Sequence, residues 1–195
     1  MAVFPALCEV FELTLDGSAP ENDPIDMVRR SGEVEFEKWK HVGNRRVNGV
    51  QTLRFKLVAI GSCDHYNLAE AILKEHGRIP EGQWCEALIA KFPDTDGKGT
   101  VGIADDSWRD QYNDFFFPCI RANDGPTCVL FFDWAFGGFN NHWRWLVEVD
   151  QRGPGTDAAA ELEPALGRRH HAARDEQRAV RRVAVAHAVE VDPDA

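Results

Sequence analysis

Six carboxylates crowd one stretch of the chain: Asp94, Asp96, Asp105, Asp106, Asp110 and Asp114. Clustered oxygen ligands are what hard cations such as Mg²⁺ and Ca²⁺ require. Read as a calcium loop starting at Asp94, the stretch puts Asp96, Gly99 and Asp105 at useful positions. Lys98, however, stands where an oxygen ligand belongs, and Pro93 breaks the helix that should lead in. Asp96-Gly97-Lys98 has the acid-x-Lys form of some metal-dependent nucleases, whose upstream acid only Asp64 could supply by distance. His142 adds a candidate general base beside Asp105 and Asp106, and it also pairs on paper with Cys119 as a nucleophile, though without a third residue. Together these residues define a metal-dependent hydrolase reading, with Asp94 and Asp96 on the metal and Asp105, Asp106 and His142 in catalysis. The ordinary alternative is that Asp and Gly build turns.

Charge is also patterned upstream. Residues 9–37 carry nine acidic residues against Arg29 and Arg30, and residues 38–63 carry none. The second stretch holds Lys38, Lys40, Arg45, Arg46, Arg54 and Lys56, with Trp39 and His41 among them. A basic stripe with an interleaved aromatic can hold phosphates and stack a base, which makes these residues and Trp39 a candidate nucleic-acid surface. The competing reading pairs them with the acids that precede them.

Twelve of the twenty aromatic residues lie between Trp108 and Trp145, and none follows. Aromatics bury the most apolar surface per residue, so this stretch marks the centre of the core and the end of the folded body. Trp143 and Trp145, on one strand face, could form a flat platform for a sugar ring with Trp108 and Trp134, while core packing is the default. A tryptophan left exposed would serve as an anchor for a protein partner.

Composition narrows the classes. Net charge is −10, which argues against a dedicated duplex-DNA binder and favours a partner with a basic surface. The N-terminus lacks a basic region before its apolar residues, and no apolar run approaches the ~18–20 residues of a membrane-spanning helix. A cytoplasmic protein without a membrane role is therefore expected. The five cysteines are spread out, with no CxxC pair, and read as free thiols; only Cys63-Asp64-His65 comes near zinc-ligand spacing. Gly97-Lys98-Gly99-Thr100 lacks the upstream glycine of a phosphate loop, and no GxSxG, HExxH or GxGxxG occurs, so no cofactor is expected.

The elements that must position these residues read as mixed. Alternation predicts a strand over 8–15 and a longer one over 50–60, with Leu53, Phe55, Leu57 and Ala59 facing one way and Thr52, Arg54 and Lys56 the other. Asp23-Pro24 starts a helix that Gly32 closes. A strand is expected over 33–37, and Asn48-Gly49 signals a hairpin turn. Asn67 is expected to cap a helix ending at His76-Gly77, and a second helix opens at Pro80 and stops at Pro93. Further strands are expected over 100–104, 115–120, 127–136 and 142–149, the last two joined as a hairpin by Gly137-Gly138.

The expected fold is α+β over residues 1–150: a mostly antiparallel sheet of at least four strands packed against two central helices, with the C-terminal aromatic strands inside it. Residues 151–195 read as an Ala/Arg-rich tail, mobile or partly helical over 172–189, with His170 and His171 solvated. With no catalytic motif, the function leans away from an enzyme and towards an acidic adaptor, inhibitor or immunity-type protein of a bacterial or phage kind. It would bind a protein partner through the stretches 9–37 and 94–114, with Asp105, Asp106 and Asp110 on that surface. Nucleic-acid binding and the hydrolase stand behind it.

Overall fold

The computed structural model describes residues 3–94, 96–122 and 127–149. The expected tail, with His170, His171 and the helix over 172–189, lies outside them. Strands β1 (Val10–Asp16), β2 (Lys40–His41), β3 (Val50–Val58), β4 (Val101–Gly102), β5 (Trp108–Arg109), β6 (Phe115–Ala122), β7 (Cys128–Trp134) and β8 (Arg144–Val149) are interspersed with helices α1 (Pro24–Ser31), α2 (Tyr66–His76) and α3 (Trp84–Lys91). The α+β class with a substantial sheet therefore stands. The strands form one sheet in the order β1-β3-β8-β4-β6-β5-β2, with β7 on β6. The β4–β8 pairing is parallel and the other strand pairings are antiparallel.

Local chemistry explains α1. The Asp23 carboxylate accepts from the Ile25 N–H at 2.9 Å, Pro24 occupies the first turn, and Gly32 at φ 84° closes the helix with its N–H on the Arg29 carbonyl. Elsewhere the expectations need correction. Glu35 sits at φ 56°, in left-handed backbone, so 33–37 cannot run as a strand and Phe36–Lys38 is a short 3-10 turn. The cap of α2 is His65, without a side-chain hydrogen bond, and not Asn67. Asn48-Gly49 leads into β3, which pairs with β1 from Val10↔Lys56 to Asp16↔Val50 rather than with a strand just before it. Gly137-Gly138 joins no hairpin either: β7 pairs with β6, while β8 lies between β3 and β4.

The sheet is buried on both faces at its middle. Leu13, Phe55, Leu57, Ile120 and Leu146 share one cluster with Trp84 and Leu88 of α3 and Val28 of α1. Val58, Phe117, Cys119, Trp145 and Val147 share another with Tyr66 and Leu73 of α2. The two helices over 66–91 thus contribute to different clusters. The period-2 alternation predicted for β8 is present, yet Arg144, Trp145, Leu146 and Val147 are all buried, because α2 covers what an exposed strand would leave wet. Trp108, Phe117 and Trp145 are fully buried. The Trp143 and Trp145 rings stack on each other at 5.4 Å within the second cluster, which removes the sugar-platform reading.

β7 is an edge strand, and its outer edge is guarded. Pro118, which has no N–H, stands opposite Phe132, so the Phe132 N–H turns outward. The Glu33 carboxylate lies close enough to that N–H to be pulled slightly down in pKa by it. The next outward N–H, of Trp134, is taken at 2.8 Å by the adjoining Asp133 carboxylate.

Candidate functional site

The six carboxylates of residues 94–114 do separate jobs. Asp96 is the counter-ion of Arg144, in a two-pronged pair at 2.7 and 2.8 Å with both side chains nearly buried. Asp94 bridges through its backbone to Val3 and Thr127. Asp110 and Asp114 shape the turn between β5 and β6, where Asp110 accepts the N–H groups of Tyr112 and Asp114 at 2.9 Å each. His142 is exposed in a turn and donates its backbone N–H to Asn140 at 2.9 Å. Among the described residues, no three His, Cys, Asp or Glu side chains gather as a metal site requires. Cys119 is buried and burial pushes its thiol far above the ordinary range, which leaves no nucleophile for His142 to activate.

Asp105 does not reach the surface expected for it; it is fully buried. Its Oδ2 accepts the Gly82 N–H at 2.8 Å, its Oδ1 accepts the Ser107 hydroxyl at 2.5 Å, and the Arg45 Nε lies 3.6 Å away. Burial raises its pKa, and Arg45, Ser107 and Gly82 pull against that rise without overturning it. Arg45 in turn donates to the carbonyls of Ile79 and Pro80 at 2.9 Å. The group clamps the 78–82 loop to the strand region at 105–109. Gly82 is required there, since a Cβ would meet the Trp108 ring at 2.6 Å.

The basic stripe is partly consumed in the same way. Arg46 pairs with Asp23 at 2.8 Å, and Lys38 pairs with Glu35 and donates to Gln111 at 3.0 Å. Lys40, on β2, is exposed; Arg54 and Lys56, on β3, are half-buried; none of the three has an ion-pair partner among the described residues. Trp39 is buried against Phe116 at 4.7 Å and Phe132 at 5.6 Å, so it is core and no platform for a base. His41 lies edge-on to Trp108 at 4.6 Å, its Nε2 buried without a hydrogen-bond partner among the described residues. Burial, then the Arg46 charge, push its pKa down to about 4, against the pull of Asp23.

A concave site lies beside the start of α2. A cleft of about 410 Å³ is lined by His65, Tyr66 and Asn67 from the start of α2, Asp106, Phe115, and Ala135 and Phe136 from the turn after β7. Its size and mixed lining suit a side chain or small ligand. Phe136 is 57% exposed and Trp134 47%, with their rings 5.3 Å apart, and Phe136 meets Phe115 edge-on at 5.7 Å. Tyr66 is buried against Phe117 at 5.5 Å, and its hydroxyl has no hydrogen-bond partner among the described residues. Burial, then the charges of Asp106 and Asp105, raise its pKa far above the ordinary phenol value, so it stays a neutral hydroxyl. The half-buried Asp106 carboxylate has no hydrogen bond or ion pair among the described residues. Arg109 stacks over Phe115 at 3.4 Å, but it donates to the backbone carbonyls of Asp106 and Trp108 rather than to that carboxylate.

Of the residues singled out from sequence, Asp106 lines this cleft, together with His65 of the Cys63-Asp64-His65 triplet and Asn67, expected only as a helix cap. Tyr66, Phe115 and Phe136 were missed as site residues. Their one sequence signal is the Phe136-Gly137-Gly138 end of the aromatic run, where a large ring meets a turn. No helix among the described residues is long and apolar enough to cross a membrane. Comparison with family models, with curated proteins and with solved structures finds no match to this chain.

Proposed function

We propose that the protein is an interaction module that holds a basic protein partner at the cleft between α2 and the turn after β7. The observation that carries this reading is the coincidence, at one cleft, of exposed Phe136 with an Asp106 carboxylate that has no hydrogen bond among the described residues, and of exposed Trp134 5.3 Å from the Phe136 ring. Exposed aromatic rings beside a cleft are the usual anchors of protein interfaces, because they desolvate a large area at little entropic cost. A net charge of −10 supplies long-range steering towards a basic surface. An acidic adaptor, inhibitor or immunity-type protein would use such a site.

The phosphate-binding alternative draws less support, because Lys38, Arg45 and Arg46 already serve protein acceptors. The hydrolase alternative has no converging carboxylates behind it among the described residues. The test is affinity capture from an extract of the source cells, using wild type and Trp134→Ser/Phe136→Ser side by side at low and high salt. A basic protein retained by wild type, released by salt and absent from the double variant is the expected result. Equal retention by both forms, retention of nucleic acid in place of protein, or no variant-sensitive protein overturns the reading.

A further inference from the structure

We propose that the free edge of β1 is a strand-addition site for an extended, basic segment of a partner protein, with cationic side chains set opposite Glu12 and Asp16. No residue of β1 lines the cleft, so this surface is separate from it and does not rest on the cleft reading.

β1 ends the sheet, with β3 on its paired side. The direction of its backbone groups follows from the bonds at its two ends. The Cys8 N–H donates to the Leu57 carbonyl at 2.8 Å, and the Gly17 N–H to the Gly49 carbonyl at 2.9 Å. The odd-numbered residues of β3 therefore face β1. Their partners Phe11, Leu13 and Leu15 bond inward, and Val10, Glu12, Thr14 and Asp16 turn their N–H and C=O groups outward. Outward bonds agree with this. The Lys91 Nζ donates to the Glu12 carbonyl at 2.7 Å, and the Ala19 N–H and Asn22 side-chain amide donate to the Asp16 carbonyl at 3.2 and 2.8 Å. Among the described residues nothing accepts the N–H groups of Val10, Glu12 or Thr14, and all three residues are exposed.

Unpaired edge groups are a template for another strand, and proteins commonly blunt them. β7 is blunted: the outward N–H groups of Cys128 and Trp134 go to the Pro93 carbonyl and the Asp133 carboxylate, each at 2.8 Å. On β1, Lys91 covers one carbonyl and none of the three donors. Those donors recur at every second residue, the spacing an added strand meets. Charge selects the occupant. The exposed side chains of Glu12, Thr14 and Asp16 share one face. Among the described residues neither acid has an ion pair, although Arg54 stands opposite Glu12 on β3 and Asp16 accepts the Ser18 N–H at 2.9 Å. Unlike charges directly opposed stabilise a strand pair, and like charges destabilise it. Residues 8–18 contain no basic side chain, so a second copy of β1 added antiparallel either opposes two acids or leaves them without counter-charge. A strand reading cation-x-β-branched-x-cation meets Asp16, Thr14 and Glu12 in turn. Its intervening side chains fall on the side of Leu13 and Leu15, where apolar residues suit.

The probes are acetylated, amidated Lys-Val-Thr-Val-Lys and its charge-reversed form Glu-Val-Thr-Val-Glu, each titrated into the full chain and followed by backbone amide shifts and hydrogen exchange. The lysine peptide should shift and protect the Val10, Glu12 and Thr14 amides, with the affinity of a short flexible strand, of order millimolar. The glutamate peptide should bind about tenfold more weakly. Glu12→Lys/Asp16→Lys, made on exposed side chains, should exchange the two preferences. Thr14→Pro removes an outward N–H and no ladder bond to β3, a place where an edge strand tolerates proline, and should abolish binding of both peptides. Equal binding of the two peptides, no exchange of preference in a natively folded charge variant, or shifts confined to other surfaces would overturn the proposal. So would protection of the three amides in the free protein. Protection at every concentration would mean that the chain covers this edge itself, and protection that rises with concentration would give the edge to a second copy.

Discussion

Removing the Asp96 carboxylate should damage the fold far more than removing an ordinary surface acid. Asp96 and Arg144 bond through two parallel prongs at 2.7 and 2.8 Å, and their side chains are 11% and 7% exposed. Among the described residues, Arg144 has one other acceptor for that guanidinium, the Gly99 carbonyl at 3.3 Å, and its Nε is buried without any. Asp96→Ala therefore strands a buried cation, which costs about 3–5 kcal/mol, a large share of the ~5–15 kcal/mol typical of a whole domain. At about 2–4 °C per kcal/mol for a chain of this size, the melting temperature should fall by about 6–20 °C. Asp96→Leu/Arg144→Met removes both charges and should recover most of the loss. Urea unfolding followed by tryptophan fluorescence measures both. The pair also sets a pH dependence. Burial alone would raise the Asp96 pKa, but the Arg144 hydrogen bonds, the Lys98 N–H and the Arg144 charge hold it below 3.8. Its contribution is then complete above 3.8 and is lost as pH falls below that value. A cost under about 1 kcal/mol for Asp96→Ala, as for an exposed pair, would refute the reasoning. So would a double variant no more stable than the single one.

His41 supplies a second pH signature. Its folded pKa of about 4 lies below the free value of 6.5, so the unfolded chain binds the proton first and stability declines as pH falls from 6.5 towards 4; His41→Gln should flatten that slope between pH 6.5 and 5, as read by melting temperature. Glu33→Ala should remove the carboxylate that sits beside the Phe132 N–H on the edge of β7 and cause concentration-dependent self-association, seen by light scattering. Burial holds the Glu33 carboxyl above 4.5, so acidifying the wild type through that range should produce the same association, and a variant that stays monomeric would discount the guard.

What the sequence disclosed was the local part. Asp23, Pro24 and Gly32 bound α1 because a cap, a fixed φ and a left-handed stop act within a few residues of each other. Pro93 follows the end of α3 for the same kind of reason. The alternation of β3 and β8 was equally readable, since period 2 is written in the strand itself. Strand partners were not. Gly137-Gly138 is good turn chemistry, but β8 lies between β3 and β4 and not beside β7, and a choice between distant partners leaves no local trace. β2 and β5 have two residues each, too few to show a period. The site divides similarly. The pairing of the basic stripe with the acids was foreseeable from their order, and Arg46 on Asp23 follows it. Asp105 on Arg45, and Tyr66 brought beside Asp106 and Phe136, depend on contacts across 40 to 70 residues of chain that only the closed sheet creates.

The position of β8 bears on how the chain is made. Its residues, 144–149, are the last strand in chain order among the described residues, yet they separate β1-β3 from β4-β6-β5-β2. Until the ribosome has released them, the nascent chain holds two half-sheets, each with an open edge that only β8 can close. A stalled or truncated product ending near residue 140 would carry both edges permanently, together with the apolar faces they border, and such species aggregate readily.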